Sequence, residues 1–431
     1  MKDFARSDDP AVRDQLDRLA KLSLPQGRLG LETIRALLAR LDNPQDRLPP
    51  VFHVSGTNGK GSTCTYLRYI LEAEGLTVHT ATKPHLVRYN ERIRIAGKLI
   101  SNAELAGLLR EVLDAGEDLS PSFFEVTTAA TFLAFARHPA DACIVEVGLG
   151  GRFDATNVIE HPAVCGIASL GLDHEAFLLS PEEGTPTEPL ARIAFEKAGI
   201  ARPGTPLVTQ RYPAAAALAL TQTATRVGAR LKMRGYEWDA RTSEDGLEYS
   251  DKAGALSLPL PALPGAHQAD NAALAIAMLR HQDSLVVSHA AMKQGLRAAK
   301  WPARLQRLSH GPLAALVPGH DLWLDGGHNP DAGAAIARHF PGPVHLVIGM
   351  LVNKDPEAIV NPLADRLASL TVVPIPGSEA HDATAFGADA VAAESVSDAL
   401  TAIGSDGAPV LIAGSLYLAG EVLRLNGELP D

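Results

Sequence analysis

The chain has 431 residues, 46% hydrophobic and 21% charged, with 39 basic against 50 acidic side chains and a net charge of −11. That size and composition describe a globular protein of two or three domains whose cores need no cross-links. The acidic balance and the lack of any basic run exclude a duplex- or membrane-surface-binding role, so anionic ligands must be met by local cations.

The N-terminus, MKDFARSDDP, lacks an apolar signal core. No apolar run reaches the roughly 18 residues of a membrane span. The expectation is a cytoplasmic protein. Cys64, Cys143 and Cys165 have no CxxC spacing and sit among apolar neighbours, which reads as three buried free thiols.

Residues 1–49 read as mostly helical, with Leu31, Ile34, Leu37, Leu38 and Leu41 on one face and a turn at Pro25 to Gly30. A short apolar run, Val51 to Val54, then leads into Ser55-Gly-Thr-Asn-Gly-Lys-Gly-Ser-Thr63. Strand, glycine turn, lysine, hydroxyl and helix in that order suit a nucleotide triphosphate. Glycines admit phosphate oxygens close to the backbone, the helix start favours anions, Lys60 meets the β- and γ-phosphates, and a hydroxyl serves Mg²⁺. The strict pattern G-x-x-x-x-G-K-[ST] is not met: Val54 stands at its first glycine, and Gly61 separates Lys60 from Ser62. Taken alone, the string also suits an ordinary strand-to-helix turn.

Downstream, a helix ends at Gly75, a strand runs from Leu76 to Ala81, Ser101-x-x-Glu104 is a capping box, and Phe124 to Arg137 is helical. The ACIVEV run, Ala142 to Val147, and Ala163 to Ser169 suit strands buried on both faces. Thr187-Glu188-Pro189 opens a helix ending at Gly199, and Pro206 to Gln210 returns to strand. Leu247 to Ser250 and Ala255 to Leu258 flank a hairpin turn, and helices follow at about 268–281 and 287–299. A boundary falls near Lys300-Trp301-Pro302. Beyond it Leu322 to Leu324, Val344 to Met350, Leu370 to Ile375 and Val410 to Ala413 alternate with helices. The alternation predicts an α/β protein of two units, residues 1–299 and 300–431, with parallel sheets covered by helices on both faces.

Glu146, followed by Gly-Leu-Gly-Gly-Arg, is a carboxylate at a strand's carboxyl end, where it can hold the Mg²⁺ of ATP or simply cap a turn. His174, at the next strand end, suits a metal ligand or a phosphate contact. Lys197 shares a face with Leu190, Ile193 and Ala194, and by pattern alone it snorkels. Asp325, in LDGGHNP, and Arg304, in WPARLQ, are candidate groups of the second unit at an interdomain site. Asn353-Lys354-Asp355 is not the guanine-reading N-K-x-D, because Pro356 stands where the acid is needed.

Together the strings HVSGTNGKGST (53–63), PHLVRYNERIRI (84–95), EVGLGGRFDATN (146–157), LDH (172–174), EKAGI (196–200), DGGHNP (325–330), IGMLVNKD (348–355) and AGS (413–415) resemble the folylpolyglutamate synthase/dihydrofolate synthase family. That family belongs to the Mur-ligase type of ATP-dependent amide ligases, and the resemblance runs from about Leu19 to Leu423. It implies a P-loop ATPase-type parallel-sheet domain, a smaller Rossmann-like domain, ATP and Mg²⁺ as cofactors, and a monomer. The implied substrates are L-glutamate with dihydropteroate or a reduced folate.

Carried over by position, Gly56, Thr57, Asn58, Gly59, Lys60, Gly61, Ser62, Asn271, Arg304 and Asp325 are implied ATP contacts. Glu146, His174 and Ser62 are implied metal ligands, and Lys60, Lys197 and His174 implied catalytic groups. Lys197 matches a lysine that the family carries as a carbamate. Gln26, Arg28, Ser122, Phe124, Arg152, Phe153, Asp154 and His328 are implied on the substrate side.

Two positions depart from the family. Lys83 stands where the family has a metal-binding serine. Either Thr82, Ser62 or water holds the metal instead, or the ammonium replaces part of its charge, and both readings predict altered metal affinity. The loop Leu178 to Pro189 is longer than the family leads one to expect. Another Mur-type ligase and a non-catalytic nucleotide-binding protein are the alternatives.

Overall fold

The computed structural model describes residues 7–22 and 30–431. Gln26 and Arg28 lie outside the described residues. The chain forms two units. The first comprises the chain to Pro84, Arg88–Ala262 and Gln268–Ala299; the second comprises His85–Val87, Leu263–His267 and Lys300–Asp431.

The first unit is built on eight strands: β1 Val51–Ser55, β2 Val78–Ala81, β3 Ile93–Ile95, β4 Lys98–Leu99, β5 Ala142–Glu146, β6 Val164–Ile167, β7 Pro206–Thr209 and β8 Arg230–Met233. Their order is β4-β3-β2-β5-β1-β6-β7-β8. β1 lies inside the sheet, parallel to β5 on one side and β6 on the other. All ten residues of β1 and β5 are buried, which is why both read as near-continuous apolar runs. The chain leaves β1 toward β2 in one direction and fills β6, β7 and β8 in the other. The carboxyl end of β1 is therefore the switch point, where open α/β sheets form a crevice.

The sheet is not wholly parallel. β2 and β3, and β3 and β4, pair antiparallel, and Ala96 (φ 50°) and Gly97 (φ 79°) turn the hairpin between the last two. Consecutive positive φ values match the right-handed twist of a hairpin. The predicted hairpin at 247–258 is present as β10 Gly246–Asp251 and β11 Gly254–Leu258, joined by β9 Trp238–Ser243 in a separate antiparallel sheet.

Helix starts follow their caps. Ser101 caps Asn102–Gly116 by accepting from Glu104 N, while the Glu104 carboxylate pairs with His138 at 3.3 Å. A full capping box stands instead at Ser122 and Glu125, on the helix Phe123–Arg137, which starts one residue earlier than expected. Glu188 caps the helix Pro189–Ala198 at its expected start.

The second unit carries β12 Gln306–Leu308, β13 Leu322–Leu324, β14 Val344–Ile348, β15 Leu367–Val372, β16 Val391–Ala392 and β17 Val410–Ala413, in the order β12-β13-β17-β14-β15-β16. All pairings are parallel except β12 with β13. Leu86 and Val87 pack onto its core with Leu418, Val422 and Leu423. The architecture is thus the expected α/β one, a large parallel-rich sheet and a smaller second sheet, with antiparallel strands at the edges. Among the described residues no helix is long and apolar enough to cross a membrane, and all three cysteines are free and buried.

Candidate active site

β1 delivers the chain into the loop Gly56–Gly59, and the helix Lys60–Ala73 begins at once. Gly56 (φ 151°) and Gly59 (φ 83°) adopt backbone that disfavours side chains. A Cβ at Gly59 would also lie 2.2 Å from Asn271 Oδ1, so Asn271 stands against the loop. The residues after β6 brace the other side. Thr57 N donates to Ser169 O at 2.7 Å, the Thr57 hydroxyl donates to Gly171 O at 3.0 Å, and Ser169 Oγ donates to Asn58 O at 3.1 Å. Ser169 and Gly171 were not singled out in the sequence, because bracing by backbone leaves no motif. Ser62 is buried in the first turn of the helix.

Three ammonium groups converge on this end of the sheet. Lys60 Nζ donates to Gly56 O at 3.0 Å and to Thr57 O at 3.1 Å. Lys197 Nζ donates to the same Gly56 O at 2.9 Å. Lys83 Nζ donates to Glu146 O at 3.0 Å and lies 4.3 Å from the centre of the Phe124 ring. The hydrogen bonds of all three go to backbone carbonyls, which satisfy donors without cancelling charge. Lys197 is 4% exposed and does not snorkel. Burial, with the Lys60 charge beside it, lowers its pKa to about 7, against the opposing pull of Asp173 and Asp154. Burial lowers Lys83 to about 8, with Asp154 and Glu146 opposing.

Glu146 ends β5 beside Val54 of β1, and its Oε2 accepts from Lys83 N at 3.0 Å. Thr82 Oγ1 points at Glu91 O, 3.4 Å away. Lys83 therefore grips Glu146 through both its backbone and its side chain. Removing that buried positive charge favours a cation at the carboxylate. Lys83→Ser is expected to lower the Mg²⁺ concentration for half-maximal ATP turnover about tenfold, the equivalent of one pKa unit. An unchanged Mg²⁺ titration removes Lys83 from the metal's surroundings. His174 takes a left-handed backbone (φ 55°) before the short helix Glu175–Leu178, with Nε2 3.9 Å from Asp173 Oδ2. Among the described residues Glu146 and His174 belong to no tight group of three or more His, Cys and acidic side chains.

The segment after β5 is held by its own acid. Asp154 Oδ2 accepts from Gly148 N and Leu149 N, both at 2.9 Å, and Oδ1 accepts from Thr156 N at 3.0 Å and from the Thr156 hydroxyl. His53 Nε2 lies 2.8 Å from that hydroxyl, and burial drives its pKa to about 3, so the ring is neutral. Asp154 thus shapes the loop beside the site, and its carboxylate is already four-fold bonded. Asp154→Ala leaves several buried donors unpaired and is expected to cost about 3 kcal/mol of unfolding free energy in urea titrations; a loss under about 0.5 kcal/mol contradicts this reading.

Arg152 donates to Glu196 through Nε at 3.0 Å and Nη2 at 2.7 Å, and to Glu182. Arg192 pairs with the same two acids. This four-membered ion cluster fastens the long 178–189 loop to the helix that carries Lys197. Phe153 packs on the Arg152 guanidinium at 4.3 Å. Phe124 lies against Gly148, where a Cβ would come within 2.3 Å of its ring, and Ser122 caps the Phe124 helix.

In the second unit, Asp325 Oδ2 accepts from Leu305 N at 2.7 Å and Oδ1 from Gly327 N at 2.7 Å. Those bonds hold a turn in which Ala303 (φ 55°) and Leu305 (φ 44°) are both left-handed, and Arg304 Nη1 donates to Ala303 O at 2.8 Å. His328 Nδ1 donates to Gly326 O at 3.0 Å. Arg304, Asp325 and His328 therefore form one cluster at the carboxyl end of β13.

The chain matches no family model. It is 34% identical over 419 residues to the folylpolyglutamate synthase of Lacticaseibacillus casei, an alignment covering 90% of this chain and 92% of that one. The chain belongs to the folylpolyglutamate synthase/dihydrofolate synthase family. Solved structures agree along the whole length. Escherichia coli FolC in complex with DHPP and ADP superposes with a TM-score of 0.85 and 32% identity, covering 98% of this chain and 99% of that one. The bifunctional folylpolyglutamate synthase/dihydrofolate synthase of Yersinia pestis, complexed with AMPPNP and Mn ion, gives 0.83 and 30% over 98% and 99%.

Proposed function

We propose that the chain is an ATP-dependent ligase that joins L-glutamate to dihydropteroate, to the γ-carboxylate of reduced folates, or to both. The observation that carries this reading is the meeting of Lys60, Lys197 and Lys83 at the carboxyl ends of β1 and β5, bonded to carbonyls. Such a site gathers three cations beside a glycine loop and a helix start, where phosphates would lie, with Glu146, Asp154 and Asp173 close enough to balance them when no nucleotide is bound.

A carboxylate is a poor electrophile. Transfer of the γ-phosphoryl group of ATP to a substrate carboxylate gives an acyl phosphate and ADP. The glutamate amine then attacks the acyl carbon, and phosphate leaves as the amide bond forms. The protein's part is positioning and charge neutralisation. Lys60 turns from Gly56 O to the phosphates, a short swing of a flexible stem. Gly56 and Gly59 admit the phosphates close to the backbone, and Asn271 closes one side of the loop. Arg304 and Asp325 are the second unit's assigned ATP contacts.

The donor set fits Mg²⁺, since Glu146 and Ser62 are buried oxygen ligands beside the loop and His174 adds an imidazole. When bound there, the ion neutralises charge on the β- and γ-phosphates. Lys197 is assigned as the site of a carbamate, Arg152, Phe153 and Asp154 as the wall between the nucleotide and substrate sides, and Ser122, Phe124 and His328 as substrate contacts. Three buried free thiols accord with a reducing, cytoplasmic location. We read the chain as a monomer, which light scattering measures directly.

Product analysis tests the substrate range. Incubation with ATP, glutamate and either dihydropteroate or tetrahydrofolate is expected to extend at least one of them by glutamate. Turnover of a UDP-linked peptide in place of both assigns the chain to the cell-wall branch of the ligases.

A further inference from the structure

The second unit holds a group of side chains that the ligase reaction does not use. His320 precedes β13, His345 lies in β14, and Asp406 precedes β17. These strands are neighbours in the order β13-β17-β14, so the three residues meet at the amino-terminal edge of the sheet. Asp325 and His328 stand at the opposite, carboxyl edge. Among the described residues this is a group of His and acidic side chains whose donor atoms all lie within 4.8 Å of one another.

We propose that His320, His345 and Asp406 form a binding site for a borderline divalent ion such as Zn²⁺, separate from the catalytic metal position. His345 Nε2 lies 3.0 Å from Asp406 Oδ1 and 3.1 Å from Oδ2. Two ligands about 2.1 Å from one ion, at roughly tetrahedral or right angles, stand about 3.0–3.4 Å apart. The pair therefore already has the spacing of neighbouring ligands, and an ion replaces the proton between them. The other nitrogen is held as metal-bound imidazoles usually are: His345 Nδ1 lies 2.8 Å from Ser369 Oγ, which fixes the ring's orientation.

His320 completes the set with a small adjustment. Its Nδ1 is 4.0 Å from Asp406 Oδ1, and it now donates to Ala408 O at 2.6 Å. Exchanging that carbonyl for the ion requires a shift of about 0.6–1 Å toward the carboxylate, to reach the ligand spacing above. The two imidazole side chains are buried, at 3% and 7% exposure, while the Asp406 side chain is 54% exposed and leaves a route for the ion. Two nitrogens and one oxygen favour Zn²⁺, Ni²⁺ or Cu²⁺ over Mg²⁺, which prefers oxygen ligands and keeps its water.

The test is calorimetric titration of Zn²⁺ into the full chain in excess Mg²⁺, which occupies the catalytic position. Wild type is compared with Asp406→Asn and His345→Gln. Asparagine at 406 keeps an oxygen for the Ala408 N–H, a 2.9 Å bond in the wild type, and removes only the charge. The expected result is one Zn²⁺ per chain in wild type and at least about tenfold weaker binding in each variant, with glutamate-dependent ADP formation unchanged in Asp406→Asn. Zn²⁺ is also expected to raise the unfolding temperature of wild type and not of Asp406→Asn. No Zn²⁺ uptake by wild type in excess Mg²⁺, or equal uptake by both variants, overturns the proposal and leaves His345, Asp406 and Ser369 as a hydrogen-bond chain alone.

Discussion

Lys60→Met lowers kcat for glutamate-dependent ADP formation by about 10²–10³-fold, the usual loss when one preorganised donor to developing charge is removed from a water-poor site. The methionine keeps the length and apolar stem of the side chain and removes only the ammonium. Lys60 is the first residue of its helix, and its present bonds to Gly56 O and Thr57 O lie within the loop. Losing them costs little stability, because Thr57 is half-exposed and the buried Gly56 O keeps Lys197 as a donor. The prediction is therefore a split: stability within about 1 kcal/mol of wild type, and activity nearly abolished. Steady-state kinetics and urea unfolding on the same preparation measure both. An equal fall in stability and activity means that Lys60 shapes the loop rather than the reaction.

Lys197→Met is expected to do the opposite to stability while also removing activity. In the wild type the Lys197 amine has a pKa of about 7 in the folded protein, against 10.5 for an ordinary exposed lysine. Below pH 7 both states are protonated, and the folded state carries the full cost of the buried charge. Between pH 7 and about 10.5 the unfolded chain binds more protons than the folded one, so this lysine's contribution to stability rises with pH through that window. The methionine variant has no such cost. It should be more stable than wild type by a few kcal/mol at pH 6, and the gap should close as pH rises through 7 to 9.

The same position makes the amine a competent nucleophile toward CO₂. With a pKa near 7, roughly a tenth of the amine is neutral at pH 6 and nine-tenths at pH 8. ¹³C-bicarbonate is therefore expected to give a carbamate resonance that grows over this range and is missing from Lys197→Met. A pH-independent stability gap, or the same resonance in the variant, removes the assignment.

The phosphate loop was legible because its information is local: a buried strand, glycines that need unusual backbone, and a lysine at a helix start all fall within about a dozen residues. β5 was legible for a related reason. A strand covered on both faces is a continuous apolar run, and Glu146 at its end is conspicuous against it. What the pattern did not show was set by the groups each side chain meets in the fold. Lys197 has the spacing of a snorkelling side chain, and only the fold shows that its amine meets a carbonyl 141 residues earlier. Asp154 lies in a string that marks the family, yet its carboxylate is taken up by the loop's own backbone. Glu104 satisfies the capping-box pattern but pairs with His138, across the helix pair, while the complete box sits at Ser122, masked by the phenylalanines that follow.

The sheets show the same division. Their parallel interiors follow from β-α alternation. The antiparallel strands β3, β4 and β12 do not, because short half-exposed strands carry too few apolar residues to show a period of two. His320, His345 and Asp406 were invisible for a third reason. They are brought together by strand order, with β17 inserted between β13 and β14, and no local string records that.

The most direct measurement is ADP formation by the purified chain with ATP and Mg²⁺, with and without L-glutamate, against dihydropteroate and tetrahydrofolate in parallel. ADP formation that requires both glutamate and one of these acceptors, with glutamate found in the product, is the predicted result. ATP binding without any glutamate-dependent ADP formation contradicts the account and leaves a nucleotide-binding protein in which Glu146, His174 and Lys197 share no purpose.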